Sequence, residues 1–184
     1  MKKRLPTEEE ALDLLEKVGC SKGVIQHCIA VKNIALDLAK KLKKKGISVD
    51  IDLVKVGALL HDIGRAKTHS IDHVIAGSKI AKDAGLPKEV IAIIERHAGG
   101  GISMDEAERL GWPKRDYIPQ SLEEKIVCYA DKLVDENCRL GVENTLKEMA
   151  SELGSDHPAL ERIKKLDEEM KRLLGVASTE NPDH

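Results

Sequence analysis

Apolar residues recur along most of the chain at intervals of three and four, the spacing that lines one face of an α-helix, and capping signals separate the runs. Thr7 with Glu10 forms a capping box that opens a short helix ending near Gly19. Ser21 opens a longer one, in which Val24, Cys28, Val31, Ile34, Ala35, Leu38 and Leu42 keep phase up to Gly46. Asp50 caps a third helix carrying Leu53, Val56, Ala58 and Leu60, which runs into His61-Asp62-Ile63-Gly64. A fourth spans 70–84 and closes at Gly85. Pro87 starts a fifth that passes through Val90, Ile93 and Ile94 to His97, where Gly99-Gly100-Gly101 breaks it. Ser103 and Glu106 cap a short helix closed by Gly111 and Pro113, and 115–120 reads as a loop. Ser121 and Glu124 open a helix through Ile126, Val127, Ala130, Leu133 and Val134. Two more are expected over 142–153 and 159–174, followed by a flexible tail over 177–184. Nothing alternates long enough for a strand. The pattern predicts an all-α, single-domain helical bundle: an N-terminal helix within 1–20, a core over 21–141, and C-terminal helices within 142–176 packed on that core.

Composition agrees with helices. The only aromatic residues among 184 are Trp112, Tyr117 and Tyr129, so the core must be built from Leu, Ile, Val and Ala, which suits helix-on-helix packing. A net charge of −2 gives no general attraction to nucleic acid or to a membrane surface. The basic run Lys40, Lys41, Lys43, Lys44 and Lys45 falls where a helix ends, and cations there oppose the negative end of the helix dipole. Cys20, Cys28, Cys128 and Cys138 lack CxxC spacing; Cys28 and Cys128 lie in apolar stripes and read as small buried hydrophobes. No apolar run approaches the ~20 residues of a membrane span, and the opening 1–4 lacks the apolar stretch of a signal peptide, so a cytoplasmic location is expected.

The chemistry lies in the residues that interrupt the stripes. His27 is in phase with Val24, Val31 and Ile34; His61 and Asp62 end an apolar helix; Asp131 sits among Val127, Ala130 and Val134. Singly, each could be a satisfied core histidine or an ion-paired acid. Together, two His and two Asp on the inner faces of different helices can converge on one cation, and nitrogen with carboxylate ligands suits Mn, Fe, Co, Ni or Zn rather than Ca. His73, in phase with Ala76, Gly77 and Ile80, and His97, just before the glycine break, extend the set. With Asp62 bridging, six residues are enough for two divalent ions. The glycine break is expected to open a mouth for substrate. His69 reads as surface or supporting, and His157 and His184 fall in polar segments.

His27, the HDIGR segment holding His61 and Asp62, and the YADKL segment holding Asp131 resemble the HD superfamily of metal-dependent phosphohydrolases over about 21–135. The segments HVIAGSKIAKDAGLP (73–87) and ERHAGGG (95–101) are similar to the subgroup with extra histidines, which includes the bacterial diadenosine tetraphosphate hydrolases and, more distantly, cyclic-di-nucleotide phosphodiesterases. His97 is followed here by Ala98 and glycines, where the latter carry a double His and a GYP signature. The resemblance implies that His27, His61, Asp62 and Asp131 bind one metal and that His73 and His97 join Asp62 at a second.

It further implies hydrolysis of a phosphomonoester, phosphodiester or phosphoanhydride of a small phosphorylated substrate, expected to be a nucleotide, by metal-activated water. Lys132 and Arg65 are candidate phosphate clamps, each equally readable as one half of an ion pair, and Arg96 is a weaker one. Two other readings stay open: a paired-iron oxygenase with the same ligands, and a non-catalytic nucleotide-binding module. The glycines at 99–101 lack the Lys-Ser/Thr of a phosphate loop. The helices after 142 lie outside the resemblance and are expected to cap the site or to serve an interface such as that of a homodimer.

Overall fold

The computed structural model describes residues 3–134 and 142–176. Cys138, His184 and the tail expected over 177–184 lie outside the described residues, as does the end of the core expected up to 141. Nine helices follow in order among the described residues: α1 (Glu8–Val18), α2 (Lys22–Lys44), α3 (Ile51–Leu60), α4 (His73–Asp83), α5 (Lys88–Arg96), α6 (Met104–Arg109), α7 (Leu122–Leu133), α8 (Glu143–Leu153) and α9 (Pro158–Leu174). Single 3₁₀ turns cover Ile63–Ala66 and Ala98–Gly100.

The caps read from the sequence form as side-chain bonds. Thr7 and Ser103 make reciprocal capping boxes with Glu10 and Glu106. Ser21, Asp50 and Ser121 accept from Val24 N, Leu53 N and Glu124 N. His157 supplies another, accepting from Ala159 N at the start of α9. The fourth helix begins at His73 rather than at 70, because Thr68 and Ser70 hydroxyls bond Ser70 N and Asp72 N and hold a turn there instead. The segment 115–120 is not wholly a loop: Tyr117 pairs with Ile102 in an isolated antiparallel bridge, 3.2 and 2.8 Å between N and O. No strand occurs among the described residues.

α3 is the axis of the bundle. Leu53, Val54, Val56, Gly57, Ala58, Leu59 and Leu60 are all buried, so the helix is sheathed by α1, α2, α5 and α7. Each Leu so buried contributes about 2 kcal/mol relative to exposure. A second, smaller cluster collects Val74, Ala98, Ile102, Ala107, Trp112 and Tyr117. α9 adds Ile163, Leu166, Met170 and Leu174 to the main core and packs on α7, α2 and the Ala98–Gly100 turn. Cys20, Cys28 and Cys128 are free and buried. No helix of the described residues is long and apolar enough to cross a membrane.

Candidate metal centre

The end of α3 delivers the first two polar groups to the interior. His61 caps α3, and the chain then turns through Asp62 into the Ile63–Ala66 turn. Gly64 makes that turn productive. A Cβ on it would overlap the His73 carbonyl oxygen and stand 2.5 Å from Gly77 N, so only glycine lets the turn lie against the first turns of α4. That contact brings His73 to Asp62. α5 ends at His97, α2 contributes His27 and α7 contributes Asp131.

The six side chains predicted from the sequence meet. Asp62 lies between two groups of partners. Its Oδ2 faces His27 Nε2 and His61 Nε2, both at 3.7 Å. Its Oδ1 faces His73 Nε2 at 3.1 Å and His97 Nε2 at 3.3 Å. Asp131 Oδ1 closes the first group, 3.0 Å from His27 Nε2 and 3.5 Å from His61 Nε2. His61, Asp62, His73 and His97 are buried, whereas the His27 side chain is 31% exposed, less enclosed than its apolar phase implied.

Three histidines are oriented by the backbone three residues before them. His61, His73 and His97 place Nδ1 at 2.7, 2.7 and 2.9 Å from the carbonyl oxygens of Ala58, Ser70 and Ile94, each three residues back. A carbonyl can only accept, so each Nδ1 carries the proton and each Nε2 points a lone pair inward, the form in which imidazole binds metals. The inward groups then lack donors. His73 Nε2 and His97 Nε2 approach to 3.1 Å, a contact that needs positive charge between them, a proton or a metal ion. His61 Nε2 and Asp62 Oδ1 are buried with no hydrogen-bond partner. Ligand atoms of His27, His61 and Asp131 lie within 4.8 Å of one another, as do those of His61, Asp62 and His97. The donor set fits a divalent metal: buried, nitrogen- and oxygen-based, and short of positive charge.

Electrostatics point the same way. Burial opposes charge on Asp62, but His61, His73 and His97 outweigh it and hold the carboxyl far below its usual range. Burial likewise opposes charge on Asp131, and Lys132 with His27 and His61 overcomes it. Burial lowers His97 to about 4 against the pull of Asp62, leaving it neutral and ligand-ready. Burial also works against a charged His61, yet the Asp62 carboxylate raises it well above an ordinary imidazole. The field that would hold a proton there would hold a metal ion.

Arg65 and Lys132 reach the carboxylates directly. Arg65 Nε donates to Asp62 Oδ2 at 2.8 Å, and its Nη1 donates to the His69 carbonyl at 3.1 Å. Lys132 Nζ lies 2.5 Å from Asp131 Oδ2. Arg96, although it precedes His97, makes two bonds to Glu124, 3.0 and 2.9 Å, joining α5 to α7. His69 is exposed and joins only through its carbonyl.

The glycine break does not form the mouth. Gly100 and Gly101 are buried; a Cβ on Gly100 would stand 2.8 Å from Ile163 Cγ1 of α9, and one on Gly101 2.7 Å from Ile118 Cα. Their small size lets the turn seat against α9 and the 115–120 segment. The cluster opens elsewhere, into a cavity of about 280 Å³ lined by Gly23, Val24, His27, Asp62, Arg65 and Asp131. A larger hollow of about 790 Å³ beside α5 contains none of the six residues. Its buried acids are already matched, Glu95 by Ser78, Lys82 and Arg115, and Glu124 by Arg96. Sequence reasoning missed these buried acids and the role of Gly64; a glycine two residues after a buried Asp was the available signal.

Residues 24–134 match the HD domain family. The chain belongs to that family. It is 43% identical over 166 residues to a protein of uncharacterised function from Methanocaldococcus jannaschii, covering 90% of this chain and 98% of that one. It is 39% identical over 173 residues to a tRNA (cytidine(56)-2'-O)-methyltransferase of Picrophilus torridus, covering 94% of this chain but 49% of the methyltransferase, so it spans about half the length of that relative. A ribonuclease Y of Finegoldia magna is 44% identical over 85 residues, 45% of this chain and 16% of the relative. In fold, the HD domain of the L. monocytogenes phosphodiesterase PgpH, crystallised with cyclic-di-AMP, superposes with a TM-score of 0.53 at 18% identity, covering 94% of this chain and all of that one. The narrower likeness to diadenosine tetraphosphate hydrolases finds no support among these relatives. It rested on the spacing of histidines, which sets ligands rather than substrate.

Proposed function

We propose that this HD domain is a metal-dependent phosphohydrolase acting on a phosphodiester of a nucleotide or an RNA end. His27, His61, Asp62 and Asp131 hold one divalent ion of the Mn, Fe, Co, Ni or Zn class, and His73 and His97 join Asp62 at a second. A divalent ion in such a set supplies an acidified water near neutral pH and counter-charge for phosphoryl oxygens. The protein's residues do the rest. The carbonyls of Ala58, Ser70 and Ile94 fix the inward-facing nitrogens. Arg65, 30% exposed beside the cavity, orients Asp62 and turns its remaining N–H groups toward an incoming phosphate. Lys132 keeps Asp131 ionised and in place. Residues 21–141 form the unit that carries this chemistry, with the helices on either side supporting it.

The observation that carries the reading is the convergence of five donor-poor ligand atoms, from His27, His61, His73, His97 and Asp131, around the Asp62 carboxylate. Ribonuclease Y, a relative at 44% identity over the 85 matched residues, favours a diester over a monoester or anhydride. The test is metal analysis of wild type and Asp62→Ala after dialysis against Mn, with hydrolysis of bis(p-nitrophenyl) phosphate, dinucleotides, dinucleotide polyphosphates and short RNA. Wild type is expected to hold about two ions and to turn over a diester, and Asp62→Ala to lose both ions and at least ~100-fold in activity. A wild type that binds no ion, or an Asp62→Ala variant as active as wild type, refutes it.

A further inference from the structure

The histidines of the Asp62 Oδ1 side are flanked by the smaller hydrophobic cluster: Val74 follows His73 and Ala98 follows His97, and both pack in the group that contains Trp112 and Tyr117. One polar contact ties that cluster to the site. Trp112 Nε1 donates to Asp72 Oδ1 at 2.8 Å. The other oxygen, Asp72 Oδ2, accepts from Ser70 Oγ at 3.2 Å, and Ser70 Oγ accepts from Asp72 N at 3.2 Å. Thr68 Oγ1 accepts from Ser70 N at 3.2 Å. The residue so held is the one whose carbonyl accepts from His73 Nδ1.

The turn is otherwise poorly supported. His69, Ser70, Ile71 and Asp72 are exposed, and the Ser70 carbonyl accepts from His73 itself, from its backbone N at 3.1 Å and from Nδ1 at 2.7 Å. Side chains from outside the turn hold it at two places: Arg65 on the His69 carbonyl, and Trp112 on Asp72. Arg65 also bonds Asp62, so one end of the turn is tied to the bridging carboxylate itself. The indole is buried at 8% exposure and packed edge-on against Tyr117 with ring centroids 5.3 Å apart. It is the rigid end of the relay.

Resting on the metal reading above, we infer that Asp72 and Trp112 are positioning residues for the second metal: they hold the 68–72 turn so that the Ser70 carbonyl keeps His73 oriented beside Asp62 and His97. Neither side chain touches the ligand atoms. Their effect is confined to the His73–His97 side, because His27, His61 and Asp131 are anchored by α2, α3 and α7. Groups that orient a ligating histidine are commonly worth 10–100-fold in metal affinity; one shell further out, the lower end applies.

The experiment is Mn binding to the full chain, followed by equilibrium dialysis with metal analysis and by Trp112 emission, which reports alone because the chain has one tryptophan. Asp72→Ala and Trp112→Phe are expected to bind the first ion as wild type does and the second about tenfold more weakly. Asp72→Asn keeps an oxygen for the indole and is expected to retain wild-type affinity. The double variant Asp72→Ala/Trp112→Phe should be no weaker than Asp72→Ala alone, since that change already removes the indole contact. In wild type the emission should change with the second ion, and His73→Ala should abolish that change. Wild-type affinity for both ions in Asp72→Ala and Trp112→Phe overturns the proposal and leaves the metal reading standing. Equal weakening of both sites also overturns it, since the residues would then support the fold generally. A wild type that binds no ion, or binds one ion indifferent to His73→Ala, overturns it together with the second site.

Discussion

The Gly64→Ala substitution adds one methyl group at the closest approach in the site. The new Cβ would overlap the carbonyl oxygen of His73, stand 2.5 Å from Gly77 N and 2.8 Å from His73 C, against a floor of about 3.0 Å for real contacts. All three are backbone atoms, so no rotamer change relieves the clash, and the first turn of α4 must withdraw by roughly 1 Å in a close-packed interior. Overpacking of this kind costs about 3 kcal/mol, the upper part of its usual range. For a chain this long that lowers the melting temperature by about 6–12 °C. The withdrawal also carries His73 away from Asp62 Oδ1, now 3.1 Å distant. Thermal unfolding followed by circular dichroism reads the first effect, and titration with Mn reads the second as weakened binding on the His73 side. Gly77→Ala is the graded comparison: its Cβ meets the movable Ile94 Cγ2 at 2.9 Å and Gly64 N at 3.1 Å, so it should lose less on both measures. Gly64→Ala melting with wild type and binding Mn equally well would show that the turn does not set the ligand geometry.

Three further outcomes are expected. Arg96→Ala leaves the buried Glu124 carboxylate with the Gln120 N–H but without its guanidinium and should lower stability by up to about 3 kcal/mol in denaturant titration, with metal content unchanged. Burial raises the Glu106 carboxyl, but Ser103 and Arg162 outweigh it and hold it below its ordinary value. A depressed folded value means stability that is present above the ordinary glutamate range and lost as pH falls through the lowered value. The stability gap between wild type and Glu106→Gln should therefore shrink as pH falls from neutral through and below the ordinary glutamate range, whereas a gap independent of pH would show that the Ser103 and Arg162 contacts do not stabilise the carboxylate. Burial pushes the Cys128 thiol up to about 11, and Cys128 donates to the His97 carbonyl at 3.1 Å. Iodoacetamide at pH 8 should leave the Cys128 peptide unmodified in native protein, as read by mass spectrometry, and modify it after denaturation.

Much of this protein is legible along one dimension. Helix boundaries came from caps and periodicity because both are local: a Thr, Ser or Asp three residues before its backbone partner needs nothing from the rest of the chain, and apolar residues three and four apart must share a face. The six polar residues that meet at Asp62 stood out for a related reason, since a His or Asp inside an apolar stripe is costly without a partner. What the stripes could not express is which partner each group finds. Arg65 and Lys132 turn to Asp62 and Asp131, and Arg96 turns to Glu124, through contacts up to 28 residues apart. The glycines at 99–101 looked like an opening, and they are the close seat of α9, because glycine marks equally a free turn and an approach too tight for a Cβ. His73 depends on an indole 39 residues away through Asp72 and Ser70, and no spacing rule reaches that far. Periodicity determines which face of a helix is buried; only the packing of helices against one another determines what that face meets.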